Sequence, residues 1–124
     1  MKTILDQYQE LYLERLCEEE NLYCRVVPLK LNKQQLVPNY KLRYSVEFKN
    51  VGDYFVLQEV IEAALGNKYL DDNHLTQCID SRLAEILQIN EILGDDVKHF
   101  VLRTAHCIVH VFTSESPEIS EIQG

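Results

Sequence analysis

Between residues 40 and 49 apolar and polar side chains alternate without a break: Tyr40, Leu42, Tyr44, Val46 and Phe48 against Lys41, Arg43, Ser45, Glu47 and Lys49. A period of two sends one set to each face of an extended strand, so the spacing predicts a strand with one buried face. Residues 22–31, LYCRVVPLKL, read as its antiparallel partner, with Pro28 pushing that partner to a sheet edge or interrupting it. The connection NKQQLVPN holds Pro38 and Asn39, which predict the turn into the second strand. A two-stranded hairpin is not stable alone, so its apolar face must rest on helices or on a second copy of the chain.

Elsewhere the period lengthens. Ile4, Leu5, Tyr8, Leu11, Tyr12 and Leu16 form a broad stripe that predicts a helix over 3–20, with Thr3 as cap and Asp6 in the capping-box position. Glu10, Glu14 and Glu18 would stack on its opposite side at a spacing that repels by a few tenths of a kcal/mol per pair, so packing must hold this helix. Asn50, Gly52 and Asp53 break the chain, and Asp53 reads as the cap of a helix with stripe Leu57, Val60, Ile61, Ala64 and Leu65, ending at Gly66. Asp71, Asp72 and Asn73 open a longer one, with Leu75, Cys78, Ile79, Leu83, Ile86, Leu87 and Leu93 inward, Asp80, Glu85 and Glu91 outward, and Gly94 at its end. After Gly94, helical spacing gathers Val97, Phe100, Val101 and Ala105, while strand alternation mixes polar and apolar residues on both sides; helix is favoured for 96–106, and 107–113 stays open. The expectation is therefore one α+β domain over 1–113: N-terminal helix, antiparallel β-hairpin, two helices, then a helix or strand. Residues 114–124, SESPEISEIQG, read as a flexible acidic tail.

A chain of 124 residues, 46% hydrophobic and 26% charged, has the make-up of a single folded domain rather than a disordered segment. No apolar run approaches the length of a membrane-spanning helix and no basic–apolar leader opens the chain, so a cytoplasmic location without membrane is the default. The formal charge of −8 argues against nucleic acid and anionic lipid as partners and suits a protein with a basic surface. The charge is uneven: residues 25–49 carry a surplus of 5 positive charges against 13 negative in the rest. That asymmetry, with the unfinished hairpin, makes a homodimer a further expectation. Cys17, Cys24, Cys78 and Cys107 fit no zinc spacing and lie in or beside apolar stripes, which predicts free thiols.

Candidate chemistry is sparse. His106 and His110 could grip a metal only on a helix, and no third ligand accompanies them; no metal or other cofactor is expected. Cys107 has adjacent histidines and Cys78 has His74 four residues earlier, yet neither sits in a glycine-rich elbow, and no nucleotide or phosphate loop occurs. Without a catalytic constellation the function expected is binding: an adaptor, chaperone or inhibitor without catalysis, docking on a basic partner through Glu10, Glu14, Glu18, Asp80, Glu85 and Glu91. The competing expectation is a small enzyme or an anion- or ligand-binding domain, built on the face His99, Arg103, His106 and His110.

Overall fold

The computed structural model describes residues 2–122, and it is a β protein, 52% strand against 18% helix. The expected α+β order with an N-terminal helix is thus overturned. The chain opens with a 3₁₀ turn, Ile4–Gln7, and continues through β1 (Leu11–Glu18), β2 (Leu22–Asn32), β3 (Gln35–Pro38), β4 (Arg43–Phe48) and β5 (Val51–Gln58). Then come α1 (Glu59–Leu65), β6 (Lys68–Tyr69), β7 (Leu75–Asp80), α2 (Arg82–Leu87), α3 (Ile89–Leu93), β8 (Lys98–Arg103), β9 (Cys107–Thr113) and β10 (Glu118–Ile122). Two five-stranded sheets result. The first runs β1-β2-β4-β10, with β3 on the far end of β2, and the second runs β5-β9-β8-β7-β6. Every pairing is antiparallel.

The sheets meet face to face. Leu22, Cys24, Val26, Tyr44, Val46 and Phe48 of the first share one core with Leu75, Phe100, Leu102, Val109 and Val111 of the second. Phe48 and Phe100 touch across the gap, ring centroids 6.5 Å apart. The alternation of 40–49 survives as β4, whose inner face is that core, and 22–31 is its partner as expected. The strand pair is not left unfinished, however: β1 and β10 complete it within the chain, which removes the structural motive for a second copy. Residues 118–122 of the segment read as a tail are the edge strand paired with β4.

Each lost helix has a local cause. Thr3 and Asp6 do form a capping box, but on a single turn. Beyond it, Leu11, Leu13 and Leu16 all pack toward the core because a bulge at Glu14 inserts one residue into β1. Spacings of two and then three imitate a helical stripe. β7 replaces the first third of the long helix; Ser81, whose hydroxyl accepts the Ala84 N–H, is where helix begins, and Gln88 in the left-handed region divides α2 from α3. α1 starts only at Glu59, six residues beyond Asp53, although Gly66 ends it in the left-handed conformation as expected. Residues 96–106 are not helical either: β8 and β9 are central strands buried on both sides, so neither shows a polar face. The three helices pack Leu65, Leu83, Leu87, Ile89 and Leu93 on Phe55, Leu57 and Phe112, over the outer face of the second sheet. No helix among the described residues is long and apolar enough to cross a membrane.

Candidate functional site

The site is assembled where the helices cover the second sheet. In β8, Phe100 and Leu102 face the inter-sheet core, which turns His99, Val101 and Arg103 toward the helices. In β9, Val109 and Val111 face the core, and Ile108, His110 and Phe112 turn outward. Two histidines are thereby buried under a helical lid, His99 4% exposed and His110 0%. His99 lies against the Phe112 ring, centroids 4.4 Å apart, and against His110 at 5.0 Å.

A polar chain runs through this layer. Ser81 Oγ, at the start of α2, is 2.7 Å from His99 Nδ1. His99 Nε2 is 2.8 Å from His110 Nδ1. His110 Nε2 is 2.7 Å from Glu62 Oε2 of α1, a close contact misaligned for a hydrogen bond, and neither atom has another partner among the described residues. Burial holds His99 down to about 3, with the neighbouring His110 adding to the effect, and holds His110 down to about 4. Burial pushes the Glu62 carboxyl up, against the field of Arg103. Burial thus shifts all three groups toward their neutral forms, the response of titratable groups removed from water. With a hydrogen on each Nε2, the serine hydroxyl donates to His99 and His99 donates to His110.

One end of this chain is open. Ser81 and His99 form part of the wall of a cleft of about 540 Å³ between the helices and the sheet, which also presents Gln77, Ile89, Lys98, Glu85 and Glu91. That volume is in the range of small-ligand pockets, ~300–1,000 Å³. Glu85 is paired with Arg82 at 3.2 Å, while Glu91 makes no ion pair among the described residues.

The residues expected to act together are partly dispersed. Glu10, Glu14 and Glu18 lie along and just ahead of a strand rather than on a helix: Glu14 is held by Arg43 at 3.1 Å and Arg25 at 4.0 Å, and Glu18 accepts from the Tyr54 hydroxyl at 2.9 Å. Asp80 ends β7 opposite Lys68, away from the cleft wall that Glu85 and Glu91 share. Of the other set, His99, Arg103 and His110 do share one face. Arg103 is spent on structure, its guanidinium donating to the carbonyls of Asn73 at 2.6 Å and Asp71 at 3.3 Å and lying over the Tyr69 ring. His106 is exposed in the β8–β9 turn. The cysteine–histidine pairings fail too: all four thiols are free, burial pushes Cys78 up to about 11, and His74 is turned to the Tyr8 carbonyl at 2.7 Å. Among the described residues no three metal-ligating side chains converge. Ser81 and Glu62 were missed. Ser81 before Leu83, Ala84, Ile86 and Leu87 is a legible N-cap signal, hidden inside the longer predicted helix; Glu62 carries no local signal at all.

The chain matches no family model, no curated protein and no solved structure.

Proposed function

We propose that this protein is a binding module that receives a basic side chain of a partner protein in the cleft between α2–α3 and the second sheet, without turning it over. The observation that carries this reading is the joining, in one cleft, of Glu85 and Glu91 with the uncharged polar groups Ser81 and Gln77. A cation entering there meets the Glu91 carboxylate for its charge and the oxygens of Ser81 and Gln77 for its N–H groups. The formal charge of −8 adds long-range attraction for a basic partner and so raises its rate of encounter.

The same geometry weighs against a serine nucleophile. A general base works best when it titrates near the operating pH. His99 at about 3 is far below it, and a carboxyl pushed toward its neutral form offers the next ring little help in holding a proton. Ser81 is accounted for as the cap of α2, accepting from Ala84 N at 2.9 Å.

Titration of the labelled protein with short lysine- or arginine-containing peptides, followed by amide NMR, tests the proposal. Shifts centred on residues 77–91 and 97–99, weakened about tenfold or more by Glu91→Lys as loss of a charge-assisted contact requires, are the expected result. Equal binding of an acidic peptide, or shifts centred elsewhere, overturns it.

A further inference from the structure

The outer face of the first sheet, on the opposite side of the molecule from the helices, carries a second feature. Strand register places Arg15 of β1 directly opposite Arg25 of β2, and Arg25 directly opposite Ser45 of β4, which in turn faces Ser120 of β10. Two arginines and two serines therefore form one row across four strands. Directly opposed residues hold their Cβ atoms about 4.5–5.5 Å apart, and like charges in that relation are destabilising.

No ion pair among the described residues relieves the repulsion at Arg15. Glu14, displaced by the bulge, is taken by Arg43 at 3.1 Å and reaches Arg25 at 4.0 Å. Glu19, which lines the same groove, accepts from the Cys17 thiol at 3.4 Å. Arg15 has no ion pair and no ring beneath it among the described residues. Arg15, Arg25, Ser45 and Tyr23, with Cys17 and Glu19, line a shallow groove of about 210 Å³. In a chain whose formal charge is −8, two opposed guanidinium groups, Arg25 with one carboxylate at 4.0 Å and Arg15 with none in ion-pair range among the described residues, stand beside the hydroxyls of Ser45 and Tyr23 as a local excess of donors.

We propose that this groove binds a phosphate monoester, its dianion bridging Arg15 and Arg25 and accepting from Ser45. A doubly charged tetrahedral anion neutralises both guanidinium groups at once, and their planar forks offer it paired N–H donors; a single carboxylate leaves one positive charge over.

The test is titration of the full chain at low ionic strength with inorganic phosphate, phenyl phosphate and a phosphoserine peptide, and with acetate and sulfate, read on the arginine Nε–H signals. Arg15 and Arg25 shift together, Arg15→Gln weakens the affinity by about tenfold or more, and affinity for phenyl phosphate and the phosphoserine peptide rises between about pH 5 and 7.5 as the monoester's second ionisation near 6 completes, while sulfate stays flat. Inorganic phosphate binding as tightly as the organic probes marks a small free phosphate as the ligand; a tighter peptide marks a phosphorylated protein segment. Acetate binding as well as phosphate, equal shifts at Lys30, Lys33 and Lys41, or silence at Arg15 overturns the site. Thermal melting is the independent arm. Arg15→Gln melts above the parent when no phosphate is present, and phosphate raises the parent's midpoint but not the variant's. A variant that melts below the parent removes the premise of repulsion and with it the proposal.

Discussion

His99 and His110 make the interior of this protein sensitive to acid. Both rings are neutral when folded, with values near 3 and 4, against the ordinary 6.5 of the unfolded chain. Below about pH 6.5 the unfolded chain gains protons that the folded one refuses, so the stability present at neutral pH is lost as pH falls toward those values, at about 1.4 kcal/mol per ring per unit. Glu62 has the opposite sign. Its raised carboxyl contributes stability below its ordinary value of 4.5 that is lost as pH climbs through the raised one, so it adds nothing to the acid loss. The urea midpoint is expected to drop between pH 7 and pH 5, and His110→Phe to remove about half of that drop. Burial also ranks the thiols: Cys24, raised to about 12, and Cys78, raised to about 11, are buried, while Cys17 and Cys107 are partly exposed. Alkylation at mildly alkaline pH, mapped by mass spectrometry, is expected to label Cys17 and Cys107 first. The histidines were visible in the sequence for a reason other than the true one. Helical spacing grouped His99, Arg103 and His110, and they do share a face, but because residues two and four apart on neighbouring strands point the same way. His106 fitted the helical spacing equally well and falls in a turn. Ser81 and Glu62 reach the pair from helices, and docking of a helix on a sheet leaves no mark in local periodicity.

At the scale of elements the turns and bulges decide what folds. Asn32 pairs with Gln35, so Lys33 and Gln34 alone make the β2–β3 turn, both with positive φ, 50° and 67°. Neither side chain suits that region, and Asn-Gly is the pair such turns favour. Replacing Lys33 and Gln34 by Asn and Gly is expected to raise stability by about 0.5–1 kcal/mol, measured by denaturant unfolding. Ser81→Ala is expected to cost about 1–2 kcal/mol, because it removes the cap of α2 and leaves His99 Nδ1 buried without its partner. β4 was legible because one face is dry and the other wet, and Gly66 because little else ends a helix so well. β1, β7, β8 and β9 were not. A bulge broke the period of the first, and burial on both faces erased alternation in the central strands, leaving short apolar runs that fit either geometry. The turn at Lys33 and Gln34 was missed because its residues carry no turn signature, and the proline and asparagine just beyond it do.

Over the whole molecule, the groove and the cleft lie on opposite outer faces. The strand face of the first sheet holds Arg15, Arg25 and Arg43, and the helical face of the second holds Glu85 and Glu91 at the cleft. Raising salt is expected to weaken basic-peptide binding at the cleft steadily, and Glu85→Lys with Glu91→Lys to flatten that dependence; isothermal titration at several ionic strengths reads both. The serine–histidine–histidine–glutamate chain ties this surface to the interior. Its ring hydrogens have a second consistent arrangement, on both Nδ1 atoms, in which His110 donates to His99 and His99 to Ser81. Inverting the whole relay releases the serine hydrogen toward whatever occupies the cleft. A guest that prefers an acceptor at that wall and one that prefers a donor would then leave the hydrogens of both imidazoles on different nitrogens, and the difference would be measurable in the ring-nitrogen chemical shifts of His99 and His110.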